Sequence, residues 1–209
     1  MGAACTIRPV TSISPHPATP GAPRWHPGSM ALHWLLALMI LGSLVVGLTM
    51  TGLPFSPMRL KLYNWHKWAG VTILGLSALR LLWRLTHRAP VEAPMPAWQR
   101  RAAHGAHAAL YGLFFAVPLA GWAYSSAAGF PVVLFGTLPL PDFVGPDRAL
   151  SETLKPLHRW LAYMLAAVAA LHVAAALKHH FIDRDGLLLR MMPARRRGGP
   201  STPPSDASP

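Results

Sequence analysis

A single cysteine, Cys5, leaves this chain of 209 residues unable to form an internal disulfide, a Cys-x-x-Cys zinc site, an iron–sulfur cluster or a CxxCH haem attachment. Acidic residues are scarce as well, with seven Asp and Glu against nineteen Lys and Arg, and charged residues of both signs make up only 12% of the chain. The usual share is about 25%. Hydrophobic residues reach 52%, a balance suited to lipid as the main solvent. The formal charge of +12 points to nucleic acid only if the cations gather on one binding surface, so their distribution decides. No apolar run precedes Trp25, so no cleavable secretory leader is expected, and the first span serves as an uncleaved anchor.

Long apolar runs are abundant. Four segments, approximately Pro27–Met50, Lys61–Leu85, His104–Ser126 and Pro156–Lys178, are apolar nearly all round. A soluble four-helix bundle would alternate polar and apolar faces. Each segment instead has the ~20 residues that cross a ~30 Å hydrocarbon core. The expected fold is therefore an all-α membrane protein, an up-and-down bundle of four transmembrane helices, with a kink at Pro118. Residues 1–26, with Pro9, Pro15, Pro17, Pro20 and Pro23, read as a flexible tail, residues 27–193 as the membrane domain and residues 194–209 as a disordered tail.

Lys and Arg in the flanks set the orientation. Thirteen lie in the N-terminal tail, the second connection and the C-terminal region, including Arg80, Arg84, Arg100, Arg101 and Arg195–Arg197; six lie at the opposite ends of the spans. Both termini are expected in the cytoplasm, and the Pro- and Gly-rich third connection, about Ala127 to Lys155, outside it. Topology and headgroup contact account for the excess charge, so no nucleic-acid partner is expected.

Eleven histidines are many for such a chain, and a histidine within a span is usually functional. His158 and His172 are fourteen residues apart on the fourth helix. At ~1.5 Å and ~100° per residue they are ~21 Å apart on nearly the same face. Because the helices alternate in direction, His33 shares a depth with His172, and His66 shares one with His158. Two bis-histidine layers stacked along the membrane normal suit two haems b, which need axial imidazoles and fit between helices. Zinc calls for more ligands than the two obvious ones in each layer. Arg80 follows His66 by fourteen residues, which puts it at the depth of the inner layer, where it serves as a propionate partner or as a cytoplasmic anchor. Gly70, one turn after His66, removes a side chain where a porphyrin edge would approach. His104, His107, Lys178 and His179 are candidates for a quinone head-group site or a proton path, or are plain interfacial residues. Most of the tryptophans fall at predicted interfaces, as an aromatic belt does.

Several segments together resemble the bacterial cytochrome b561 family. They are Arg24-Trp-His-Pro27 with Ala31-Leu-His-Trp34, Trp65-His-Lys-Trp-Ala-Gly70 with Arg80, His104-Gly-Ala-His107 and Phe135-Gly-Thr-Leu-Pro139. The longest run is Leu157-His-Arg-Trp-Leu-Ala162 with Leu171-His-Val-Ala-Ala-Ala-Leu-Lys-His-His-Phe181, continuing through Arg184-Asp185 to Arg190-Met-Met-Pro193. The resemblance covers about residues 24–193. It implies two b haems in a four-helix bundle of the bacterial inner membrane, ligated by His33 with His172 and by His66 with His158. It also implies electron exchange with the quinone pool, and superoxide as a proposed donor in some members. Lys67, Lys155 and Arg159 would steer an anionic donor or neutralise propionates. Two further readings remain: an anchor subunit wiring a partner dehydrogenase or hydrogenase to quinone, and a haem-free metal transporter. The second would want carboxylates in its path, and none of the seven acidic residues lies within a predicted span.

Overall fold

In the computed structural model, which describes residues 24–87, 90 and 95–192, four long helices run through the chain. They are α1 (Pro27–Met50), α2 (Pro57–Thr86), α3 (Ala97–Ala127) and α4 (Arg148–Lys178). Both proposed tails fall almost wholly outside the described residues. Helix starts follow local chemistry. Pro27 and Pro57 occupy first-turn positions, where a missing N–H costs nothing. His26 accepts through Nδ1 from the Gly28 amide at 3.1 Å, Ser56 Oγ from Arg59 at 3.3 Å, and Asp147 Oδ1 from Leu150 at 3.0 Å.

Three helices outrun the apolar segments that announce them. α4 begins at Arg148, eight residues before the expected Pro156, which lies inside the helix. The Asp147 cap starts the helix, and the carbonyl that Pro156 leaves without a partner belongs to Glu152, at the exposed end, where water can satisfy it. Pro118 likewise sits inside α3. The third connection is correspondingly shorter than expected and contains a small antiparallel hairpin, β1 (Val133–Leu134) and β2 (Leu138–Pro139), with Val133 opposite Pro139. Phe135 and Gly136 make its turn at φ of 52° and 74°, a backbone region that Gly enters freely.

This connection is tied down at both ends. Trp68 Nε1 donates to the Val133 carbonyl at 2.7 Å and Lys67 Nζ to that of Phe130 at 3.0 Å. Ser125 donates to the Phe130 carbonyl, Ser126 Oγ to Asp142 at 2.5 Å, and the Asp147 amide to Ala127 at 2.8 Å. At the opposite end, the chain after α4 passes through a π-helical turn (His179–Asp183) and a 3₁₀ turn (Leu188–Met191). That last turn clasps the start of α1: Arg24 Nη2 donates to the Leu189 carbonyl at 3.1 Å, the Trp25 amide to Arg190 at 3.3 Å, and Trp34 Nε1 to Met191 at 2.9 Å.

Neighbouring helices pack in chain order. Their shared core is Leu36 and Ile40 of α1, Ile73 of α2, Leu110, Leu113 and Val117 of α3, and Leu165 of α4. Elsewhere the apolar side chains face outward. In the most hydrophobic stretch of each of the four helices only 11%, 11%, 22% and 6% of the residues are buried, and Leu38, Leu41, Leu82 and Leu171 are among those exposed. A surface this apolar is stable only in lipid. The four helices span the membrane.

Candidate haem-binding histidine layers

The core residues mark the middle of the site. Ile73 lies seven residues from both His66 and Arg80, and Leu165 seven residues from both His158 and His172. Seven residues are about two turns, so polar side chains stand above and below a dry apolar layer.

On the hairpin side, His66 of α2 faces His158 of α4 with ring centres 6.1 Å apart and planes at 80°. Two imidazoles that ligate one metal from opposite sides, through bonds of about 2 Å, hold their centres roughly 6.3 Å apart. The Nδ1 atom of His66 lies 3.1 Å from both the carbonyl and the hydroxyl of Ser43, and the Nδ1 atom of His158 lies 3.0 Å from the Val117 carbonyl. An Nδ1–H that donates to a carbonyl leaves Nε2 as the ligand atom, the usual outer support of a metal-bound histidine. Glycines make room for both rings. A Cβ on Gly47 would stand 3.0 Å from Cε1 of His66, and a Cβ on Gly121 would stand 2.8 Å from Cε1 of His158. The residue pattern therefore fits an axially ligated haem.

On the termini side, His33 of α1 faces His172 of α4 at 6.3 Å and 76°, again the separation of a bis-imidazole pair. His107 of α3 approaches His172 at 5.4 Å, and the Trp34 ring approaches His33 at 5.4 Å. Arg80 ties this end together: Nε donates to the Tyr111 hydroxyl at 3.3 Å and Nη1 reaches the Ser29 carbonyl at 3.5 Å. Ser29 is one turn before His33 and Tyr111 one turn after His107, so the half-buried guanidinium bridges α1 and α3 beside the pair.

The remaining candidates fall in different places. A Cβ on Gly70 would meet nothing within 4 Å, so the space one turn after His66 is open. His104 is exposed near the start of α3. Lys178 Nζ pairs with Asp183 at 2.6 Å, and His179 Nδ1 lies 2.6 Å from Asp185 and 3.2 Å from Asp183, which locks the turn after α4. Lys67, besides its bond to the Phe130 carbonyl, lies 5.9 Å from the centre of that residue's ring, so it fastens the connection to α2. Sequence reading missed Ser43, Gly47, Val117, Gly121 and Tyr111. Their contacts join residues 23 to 41 positions apart in two cases, and glycine is too frequent in membrane helices to stand out.

Comparison with known proteins identifies the family. The family model for prokaryotic cytochrome b561 matches residues 24–194. Cytochrome b561 homolog 2 of Escherichia coli (strain K12) is 35% identical over 168 residues, covering 78% of this chain and 88% of that protein. A Yersinia pestis protein named probable superoxide oxidase CybB is 33% identical over 172 residues, 80% of this chain and 94% of its own length. With four membrane-spanning helices and a match across all the described residues, the chain belongs to the prokaryotic cytochrome b561 family of b-haem membrane electron-transfer proteins.

Proposed function

We propose that the chain carries electrons across the bacterial inner membrane through two haems b, one held by His66 and His158 and the other by His33 and His172, and exchanges them with the quinone pool. The observation that carries this reading is the two pairs of facing imidazoles, 6.1 Å and 6.3 Å apart, each with one ring on α4. A haem with both axial positions filled supplies one-electron transfer rather than oxygen binding.

The protein's own groups orient and insulate. Ser43 and Val117 fix the hairpin-side rings through Nδ1, and Arg80 places a positive charge beside the termini-side pair, where a propionate would be received. Gly70 leaves open space for a macrocycle edge. His104, His107, Lys178 and His179 are the candidates for quinone protons at the termini side. We place both termini in the cytoplasm, because thirteen of the nineteen Lys and Arg fall, in the sequence, in the segments flanking that side of the spans. Superoxide is the donor we favour on the hairpin side, by extension from the name of the Yersinia pestis relative. Steering it would fall to Lys155 and Arg159, which are exposed there, since Lys67 is engaged.

The deciding experiment is a dithionite-reduced minus oxidised spectrum of detergent-purified protein, with haem counted as the pyridine haemochrome. About two b haems per chain, falling to about one in His66→Ala and in His33→Ala, is the expected result. A haem-free protein after expression with ample haem would overturn the reading.

A further inference from the structure

The two histidine layers are held by different means, and the difference falls on two glycines. α1 presents the Ser43 carbonyl and, one turn later, Gly47 to the His66 ring. α3 presents the Val117 carbonyl and, one turn later, Gly121 to the His158 ring. The hydrogen bond sets the rotation of each ring, and the absent Cβ sets how close it lies to the neighbouring helix. A Cβ on Gly121 would meet both Cε1 at 2.8 Å and Nδ1 at 3.0 Å, and one on Gly47 would meet Cε1 at 3.0 Å. At such distances the ring must shift. By contrast Gly42, Gly75, Gly105 and Gly112 face open space.

The termini-side pair has no such clamp. Among the described residues the rings of His33 and His172 make ring contacts, with Trp34, with each other and with His107, but no hydrogen bond. Side chains that must be immobilised on binding lower affinity, and side chains already fixed do not.

We propose that Gly47 and Gly121 are positioning residues that make the His66/His158 pair the tighter haem site and the first to fill. This rests on the haem reading above. Two preorganised ligand side chains correspond to an advantage on the order of 10-fold in affinity.

The test is a haem titration of the full chain, purified in detergent after haem-limited expression. The low-spin electron paramagnetic resonance signals are assigned beforehand with His66→Ala and His33→Ala. The first equivalent is expected to produce the signal that His66→Ala lacks. Filling of the other site first, or of both in step, overturns the proposal. Gly121→Ala is expected to shift or abolish the hairpin-side signal and leave the termini-side signal in place, with a smaller effect from Gly47→Ala. The exposed Gly42→Ala and Gly112→Ala are expected to keep both signals and the wild-type order. Unchanged signals and order in Gly121→Ala would also sink the idea. If that variant does not accumulate, the wild-type titration decides. Failure of the haem reading is distinct, since no b haem would then appear in any sample.

Discussion

The hairpin side and the termini side of the bundle place the same pair of residue types at nearly the same spacing, yet they build it from different materials. At the hairpin side, main-chain carbonyls and missing side chains position the rings, and a 20-residue connection bonded to Lys67 and Trp68 closes the end. At the termini side, side chains dominate: Arg80, Tyr111, His107 and Trp34 surround the pair, and the turn carrying Met191 is bonded to α1. Backbone supports are rigid and indifferent to most substitutions. Side-chain supports are adjustable and carry charge. One end is suited to hold, the other to tune.

Substitutions can break this contrast, and the largest effect is expected from His158→Ala. It should lower haem from about two to about one per chain, with the surviving spectrum that of the termini-side haem; loss of both would show that the layers assemble as one unit. Arg80→Gln comes next. Removing a cation favours the more positive, oxidised haem, so the midpoint potential of the termini-side haem should fall by roughly 30–60 mV, where 59 mV is a tenfold change for one electron. A potentiometric titration in which the hairpin-side haem moved instead would invert the assignment. Asp142→Asn weakens the hydrogen bond from Ser126. It should cost about 1 kcal/mol of stability, seen as a lower thermal midpoint with both potentials unchanged. Ser43→Ala is expected to do least, because the main-chain carbonyl that holds His66 remains. A change of about 0.5 kcal/mol or less in haem affinity is anticipated, and a larger one would mean that the hydroxyl, not the carbonyl, orients the ring.

Much of this arrangement was legible in the sequence because it is periodic. Apolar runs of membrane length predict α1 to α4, and the fourteen-residue interval from His158 to His172 predicts that both rings share a face. The structure places each of them opposite the histidine expected from depth. What escaped notice depends on contacts between distant positions. Gly121 means something only once His158 has been brought against it, 37 residues further along the chain. The apolar run from Pro156 understates α4, because the Asp147 cap starts the helix two turns earlier, before any apolar run begins. The hairpin was missed because two-residue strands carry no alternation to detect.

In the proposed dihaem function, the apolar layer around Ile73 and Leu165 would separate electrical from chemical transport. Its core is Leu36, Ile40, Ile73, Leu110, Leu113, Val117 and Leu165, all apolar, an environment that disfavours a moving proton far more than a moving electron. The two pairs stand ~21 Å apart in a ~30 Å hydrocarbon core, so an electron passing between two haems there would traverse roughly two-thirds of the membrane field, about 1.6 kcal/mol at 100 mV. The direction of flow along that route would therefore answer to membrane voltage as well as to the potentials of donor and acceptor. An energised membrane, negative inside, opposes inward electron movement and favours outward movement, so the proposed route would act as a voltage-biased conductor.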